Sequence, residues 1–264
     1  MMTRSIDLNS DLGEGFGPWR MGDDAAILRL VTSANIACGG HAGDPATMVD
    51  TLALARERGV VAGAHPGFAD REGFGRRLIP LTTREVEQLV ATQVGALMGA
   101  AALAGTAVRF VKPHGALGNW AADERSVADA VVRATRALSS DLAILAISGT
   151  ELEVAAREAG ITVFSEIFAD RGYLTNGRLV PRKHQGALIH DEDAAARRLV
   201  EFLRTGLMPT VDGEPIRLEA HSICVHGDSA GALAMASHVR IALEAAGFRV
   251  APFLGNAAPV RLAP

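Results

Sequence analysis

The sequence predicts an α/β fold of the barrel class, a (β/α) barrel-like arrangement of seven or eight mostly parallel strands. Short runs rich in Val, Ile, Phe and Ala alternate along the whole chain with stretches of helical period, and such alternation builds parallel sheets. Seven or eight βα units within 264 residues favour a closed barrel over an open doubly wound sheet. No Pro/Gly/Ser-rich linker divides the chain, so residues 1–264 are expected to form one domain.

In order, the expected strands are IDLNSDL (6–12), SANIAC (33–38), VVAGAH (60–65), AVRFVKPH (107–114), LAILAIS (142–148), TVFSEIF (162–168), HSICVHGD (221–228) and FRVAPFL (248–254). Between the second and third, DPATMVDTLALARERG (44–59) reads as a helix. Asp44 caps it, Pro45 suits its first turn and Gly59 its stop. Thr82 and Glu85 form a capping box that opens a helix running toward Gly99. The stretches 191–206 and 229–247 are further helices that end in glycine. The segment ADRGYLTNGRLVPRKHQGA (169–187) is too long and polar for a simple turn and is read as a functional excursion beside the barrel mouth.

Composition narrows the function. With 48% hydrophobic residues the chain can bury a sizeable core, and with 5% aromatics that core rests on Ala, Val, Leu and Ile. A net charge of −4 without basic blocks argues against nucleic acid or an anionic membrane as partner. Two cysteines, Cys38 and Cys224, are too few for a disulfide framework or a structural zinc cage and are read as small buried thiols. The N-terminal MMTRSIDLNSDLGEG lacks the apolar run of a signal peptide. The Ala- and Gly-rich stretch 90–108, interrupted by Thr92 and Gln93, is read as a buried helix, with Gly95 and Gly99 allowing close packing. A soluble cytoplasmic protein is expected.

The polar residues at the strand ends carry the specific signal. They are Asn9, Asp11 and Glu14 after the first strand, His41 and Asp44 after the second and His65 after the third. Lys112 and His114 follow in the fourth, Glu166, Asp170 and Arg171 in the sixth, and His226 and Asp228 in the seventh. In a parallel barrel all strand C-termini open on one face, where active sites lie. Residues far apart in sequence, including four of the eight histidines, are therefore expected to converge. The pair Arg76 and Arg77, in the glycine-containing GFGRR loop, offers forked donors for a carboxylate or phosphate.

Several chemistries find no motif. The chain lacks a Walker A sequence, a Gly-x-Ser-x-Gly elbow and a dinucleotide fingerprint. Two mechanisms remain: Asp and His bind a divalent metal that activates water, or they act as acid and base without one. Asp11, His41, His65 and Asp228 are the candidate metal ligands.

Six segments then carry a resemblance. DLNSDLGEGFGPWRMGDD (7–24), ANIACGGHAGDP (34–45), GAHPGFADREGFGRR (63–77), VKPHGALGN (111–119), EIFADRGYLTNGRLVPR (166–182) and ICVHGD (223–228) together resemble the LamB/YcsF family, in order and over nearly the whole chain. The resemblance implies a barrel related to the polysaccharide deacetylase and glycoside hydrolase group. It also implies ATP-dependent opening of 5-oxoproline to L-glutamate, with Mg as the partner of ATP, in a complex with subunits B and C. A homo-oligomer is compatible with it. On this reading Asp11 and His114 serve acid–base chemistry or position water, and Lys112 stabilises negative charge. His41, His65, His226 and Asp228 line the pocket or hold a metal, and Arg76 or Arg77 takes the substrate carboxylate. Asn9, Glu14 and Arg171 belong to the same binding surface. The alternatives are a stand-alone metal-dependent deacetylase or amidohydrolase, and a non-catalytic subunit that delivers the lactam. The sequence departs from the family pattern at Ser10, usually Cys, at Gly40, usually aromatic, and at Gly118, usually Tyr. The two lost rings are expected to enlarge the mouth, with Trp120 as a compensating ring.

Overall fold

The computed structural model describes residues 5–226 and 231–255. Its elements in chain order are β1 (Ser5–Leu12), α1 (Asp24–Ile27), β2 (Ser33–Ala37), α2 (Pro45–Arg58), β3 (Val61–His65), α3 (Thr83–Ala104), β4 (Val108–Val111), α4 (Gly115–Asp123) and α5 (Arg125–Leu138). Then follow β5 (Ala143–Ile147), α6 (Glu151–Glu158), β6 (Val163–Phe168), α7 (Glu192–Thr205), β7 (Leu207–Met208), β8 (Ile216–Arg217), β9 (Ser222–Cys224), α8 (Ala232–Ala245) and β10 (Arg249–Val250).

Seven parallel strands, in the order β1-β2-β3-β4-β5-β6-β9, close into a barrel through the pairing of β9 with β1. The last expected strand is only two residues long. It pairs with the start of β1 at Ser5 and Ile6, outside the ring. The helix signals hold. Asp44 caps α2 through Thr47 N at 2.9 Å, and Gly59 ends it in the left-handed conformation. The Thr82–Glu85 capping box forms on both sides, and α3 runs beyond Gly99 to Ala104. Although α3 is long and apolar enough to cross a membrane, Val86, Val90, Val94 and Leu97 pack it onto the barrel. The expected packing role of Gly99 does not hold, because nothing approaches within 4 Å of the space beside it. The short β7–β8 hairpin has no counterpart among the expected elements.

The barrel interior follows the two-residue period of its strands. On β1, Leu8 and Leu12 are buried in the helix-facing core, while Asp7, Asn9 and Asp11 point into the lumen. There the polar side chains bond one another. Asp7 accepts from Thr32 (2.6 Å), Ser33 (2.7 Å) and Ser222, and Asn9 donates to Glu166 (2.9 Å) and Ser222 (2.6 Å). The other side of the lumen is apolar, formed by Val61, Phe110, Ala143 and Leu145. Phe110 occupies the room left by Gly63, where any β-carbon would lie 2.3 Å from the ring. Burial lifts the Asp7 carboxyl to about 6, its three hydroxyl donors only partly opposing.

Candidate active site

The lumen opens at the strand C-termini into a pocket of about 530 Å³, well within the range of small-molecule sites. Its floor is a buried charge cluster. The Lys112 ammonium lies 2.8 Å from Glu166, 3.1 Å from Asp11, 3.3 Å from Asn9 Oδ1 and 3.2 Å from Cys224 Sγ. Burial opposes the Lys112 charge, but the neighbouring Asp11 holds its pKa well above the ordinary lysine value, with Glu166 adding to the effect. Burial likewise works against ionised Asp11, yet His65 and Lys112 hold that carboxyl well below the usual range. Glu166 is raised by burial despite Lys112, and its Oε2 is buried without a partner. One acid is thus kept charged and the other biased toward its protonated form, the division of labour that acid–base chemistry needs.

Three imidazoles stand beside this cluster. His65 Nδ1–H donates to the Lys112 carbonyl at 2.7 Å, and its Nε2 is 3.4 Å from Asp11. His114 Nε2–H donates to the Phe74 carbonyl at 2.8 Å, and its Nδ1 faces His65 Nε2 at 2.9 Å. His41 stacks on His114 with centroids 3.6 Å apart and reaches Glu14 at 3.1 Å. Burial pushes both His41 and His114 well below the ordinary histidine range. Phe74 holds this group together. It is non-glycine with φ of 54°, and its ring meets His41 and His114 edge-on. Strained backbone of this kind gathers at functional sites. The loop around it is tightly packed at Gly73 and Gly75. A β-carbon on Gly75 would lie 2.7 Å from that of His41, and one on Gly73 would meet the Asp70 carboxylate.

The 169–187 excursion builds the outer wall and contributes Arg171, Arg182, Lys183 and His184 to the pocket. Arg198 of α7 anchors it, donating to the carbonyls of Phe168, Ala169 and Arg171 at 2.7–2.8 Å. Tyr173, within the excursion, is fully buried. Arg171 is itself committed to the carbonyls of Val180 (2.7 Å) and Ala187 (3.1 Å), and burial lowers it to about 10. Asp170 pairs with His226 at 2.8 Å.

Most of the expected site residues therefore meet: Asn9, Asp11, Glu14, His41, His65, Arg76, Lys112, His114, Arg171 and His226. Arg77 does not. It turns to the Asp70 carboxylate (Nε 3.0–3.1 Å) and leaves Arg76 as the pocket arginine of the pair. Asp228 lies outside the described residues. Of the four expected metal ligands, the three that are described fall into two groups among the described residues. His41 and His65 group with Glu14 and His114, whereas Asp11 groups with Cys224 and His226. Cys224 is buried, as expected of a small thiol, but it sits in the site and is no bystander. The departures are also resolved. Ser10 donates to the Val225 carbonyl at 2.6 Å. Gly40 does not open the mouth, because Gln93 fills its space and bonds Gly67 at 2.7 and 3.0 Å. Trp120 packs against Phe68 and the core, so it does not replace a lost ring at the mouth. Phe74 and Asn35, which orients Asp11 at 2.9 Å, were not legible in the sequence because neither sits in a motif of reactive residues.

Fold and site together define a parallel barrel with a polar strand-end pocket suited to acid–base and electrostatic chemistry. The chain belongs to the LamB/YcsF family, whose profile matches residues 6–258. It is 48% identical over 250 residues to the 5-oxoprolinase A subunit of Gluconobacter oxydans, covering 95% of this chain and 98% of that protein. It is 49% identical over 252 residues to a 5-oxoprolinase A subunit of Agrobacterium fabrum, covering 96% and 99%. Among solved structures, the lactam utilization protein of Thermus thermophilus matches with a TM-score of 0.88 at 40% identity, covering 94% of this chain and 99% of that one. The T48 deacetylase matches at a TM-score of 0.50 and 15% identity, covering 95% and 89%, which places the fold beside the deacetylase barrels.

Proposed function

We propose that this chain is the A subunit of a cytoplasmic 5-oxoprolinase, opening the 5-oxoproline lactam to L-glutamate with ATP hydrolysis, together with subunits B and C. The observation that carries the reading is the buried Lys112 held between Asp11 and Glu166 beneath an arginine-lined wall. The names of the relatives support a lactam, 5-oxoproline, as the substrate. Amide resonance makes a five-membered lactam a poor electrophile. Transfer of the γ-phosphoryl group of Mg-bound ATP to the lactam oxygen releases ADP and activates the carbon. Water adds there, the C–N bond breaks with a proton going to nitrogen, and γ-glutamyl phosphate forms. A second water then releases phosphate and leaves glutamate.

In this scheme Lys112 stabilises charge growing on the lactam oxygen. Asp11, held by Lys112 and Asn35, orients water and accepts its proton, and Glu166 supplies a proton to the leaving nitrogen. Arg76 binds the substrate carboxylate, and Arg182 and Lys183 face the phosphates. The chain has no Walker A motif, so subunits B and C complete the nucleotide site. The test is glutamate and ADP formation from 5-oxoproline and ATP, by the chain alone and with its B and C subunits. Glutamate from the mixture, abolished by Asp11→Asn in an assembled complex, is the expected result. No glutamate from a verified complex overturns the reading and turns attention to deacylation by the lone chain.

A further inference from the structure

The protons on the paired histidines can be counted. A carbonyl oxygen only accepts, so His65 must carry its hydrogen on Nδ1 and His114 on Nε2. Where neither ring carries a second proton, they face each other lone pair to lone pair, His65 Nε2 to His114 Nδ1, at 2.9 Å. That approach is repulsive unless a cation lies between the two nitrogens. A carboxylate oxygen of Glu14 is 3.7 Å from the same His114 nitrogen, and all these atoms lie within 4.8 Å of one another.

From this geometry we infer that Glu14, His65 and His114 hold a divalent transition-metal ion of the zinc class, with His41 bracing Glu14. Three features separate this from a proton shared by the two rings. First, metal–ligand bonds of about 2.0–2.1 Å place tetrahedral ligands about 3.3–3.4 Å apart, and a third ligand atom, of Glu14, stands 3.7 Å from His114 Nδ1, where a proton shared by two rings requires none. Second, both ligating rings are anchored through their far nitrogens to main-chain carbonyls, the arrangement that aims an imidazole lone pair at a metal. Third, two imidazoles and one carboxylate suit zinc, nickel or iron better than the oxygen-seeking magnesium or calcium. His41 lies parallel to His114, 3° between planes, so its ring points past the ion and serves Glu14 instead at 3.1 Å. The inference does not rest on the lactam reading, since it is read from metal content and not from turnover.

The experiment uses the full chain purified without a polyhistidine tag, stripped with chelator, and titrated with Zn²⁺ by calorimetry and with Co²⁺ by visible absorption. About one tightly bound ion per chain is expected, with the absorption of low-coordinate Co²⁺. Glu14→Gln and His114→Asn should each weaken Zn²⁺ binding by about 100-fold, and His41→Asn by about tenfold. The exposed His238→Asn serves as control and should change nothing. Circular dichroism establishes that each variant is folded, and the near-isosteric Glu14→Gln keeps the test alive if His114→Asn is not. Absence of stoichiometric Zn²⁺ binding, as a shared proton would give, overturns the inference. So does binding that the folded Glu14→Gln variant leaves unchanged.

Discussion

Replacing Lys112 with Met isolates the charge at the pocket floor. Methionine keeps most of the stem volume, so little cavity forms, and what disappears is an ammonium 2.8 Å from Glu166 and 3.1 Å from Asp11. All three groups are at most 6% exposed. Removing one partner from a buried ion cluster costs about 3–5 kcal/mol, because the remaining charges stay desolvated. For a chain of this size that corresponds to a Tm lowered by about 6–20 °C. The loss should depend on pH. Burial already lifts the Glu166 carboxyl, with Lys112 opposing. A carboxyl raised on folding favours the folded state below its unfolded value, and this advantage is lost as pH rises through the folded value. Without Lys112 the lift grows, so the variant should be more destabilised at pH 8 than at pH 5.5. Urea unfolding followed by circular dichroism at both pH values, with an unchanged m-value, measures this. The double variant Lys112→Met/Glu166→Gln should recover part of the loss. A destabilisation under about 1 kcal/mol, equal at both pH values, would refute the charge-cluster account.

Other consequences follow from the same contacts. Burial lifts Asp7 from 3.8 to about 6, so it contributes up to about 3 kcal/mol below pH 4 that fades as pH rises to about 6. Asp7→Asn should remove that slope from a comparison of unfolding free energies at pH 4 and pH 7, and a slope identical to the parent's would count against it. Arg198→Leu deletes the bonds to the Phe168, Ala169 and Arg171 carbonyls that hold the 169–187 excursion where it leaves β6. Limited trypsin digestion at Arg182 and Lys183 should accelerate about tenfold or more, and unchanged cleavage would show the excursion to be held elsewhere. Gly40→Ala should cost about 1–3 kcal/mol by thermal unfolding. Adding Gln93→Ala should relieve only part of this, since the Gly67 carbonyl remains 2.5 Å from the new carbon.

Local rules made much of this molecule legible in advance. The Asp44 and Thr82 caps, the Gly59 stop and the two-residue alternation along β1 each act within a few residues of chain, so the helices and most barrel strands follow from nearby sequence. Because parallel strands share one C-terminal face, the convergence of Asp11, His65, Lys112, His114 and His226 also followed from their places at strand ends. Partnership did not. Whether Arg76 or Arg77 enters the pocket depends on Asp70 capturing one of them, and whether Gly40 opens the mouth depends on Gln93 from another helix. Which histidines group with Glu14 depends on a carbonyl held out by strained Phe74. The sequence by itself determined which residues stand at the barrel mouth. Only the tertiary structure decided which of them touch, because side-chain pairing is settled by packing between elements distant along the chain.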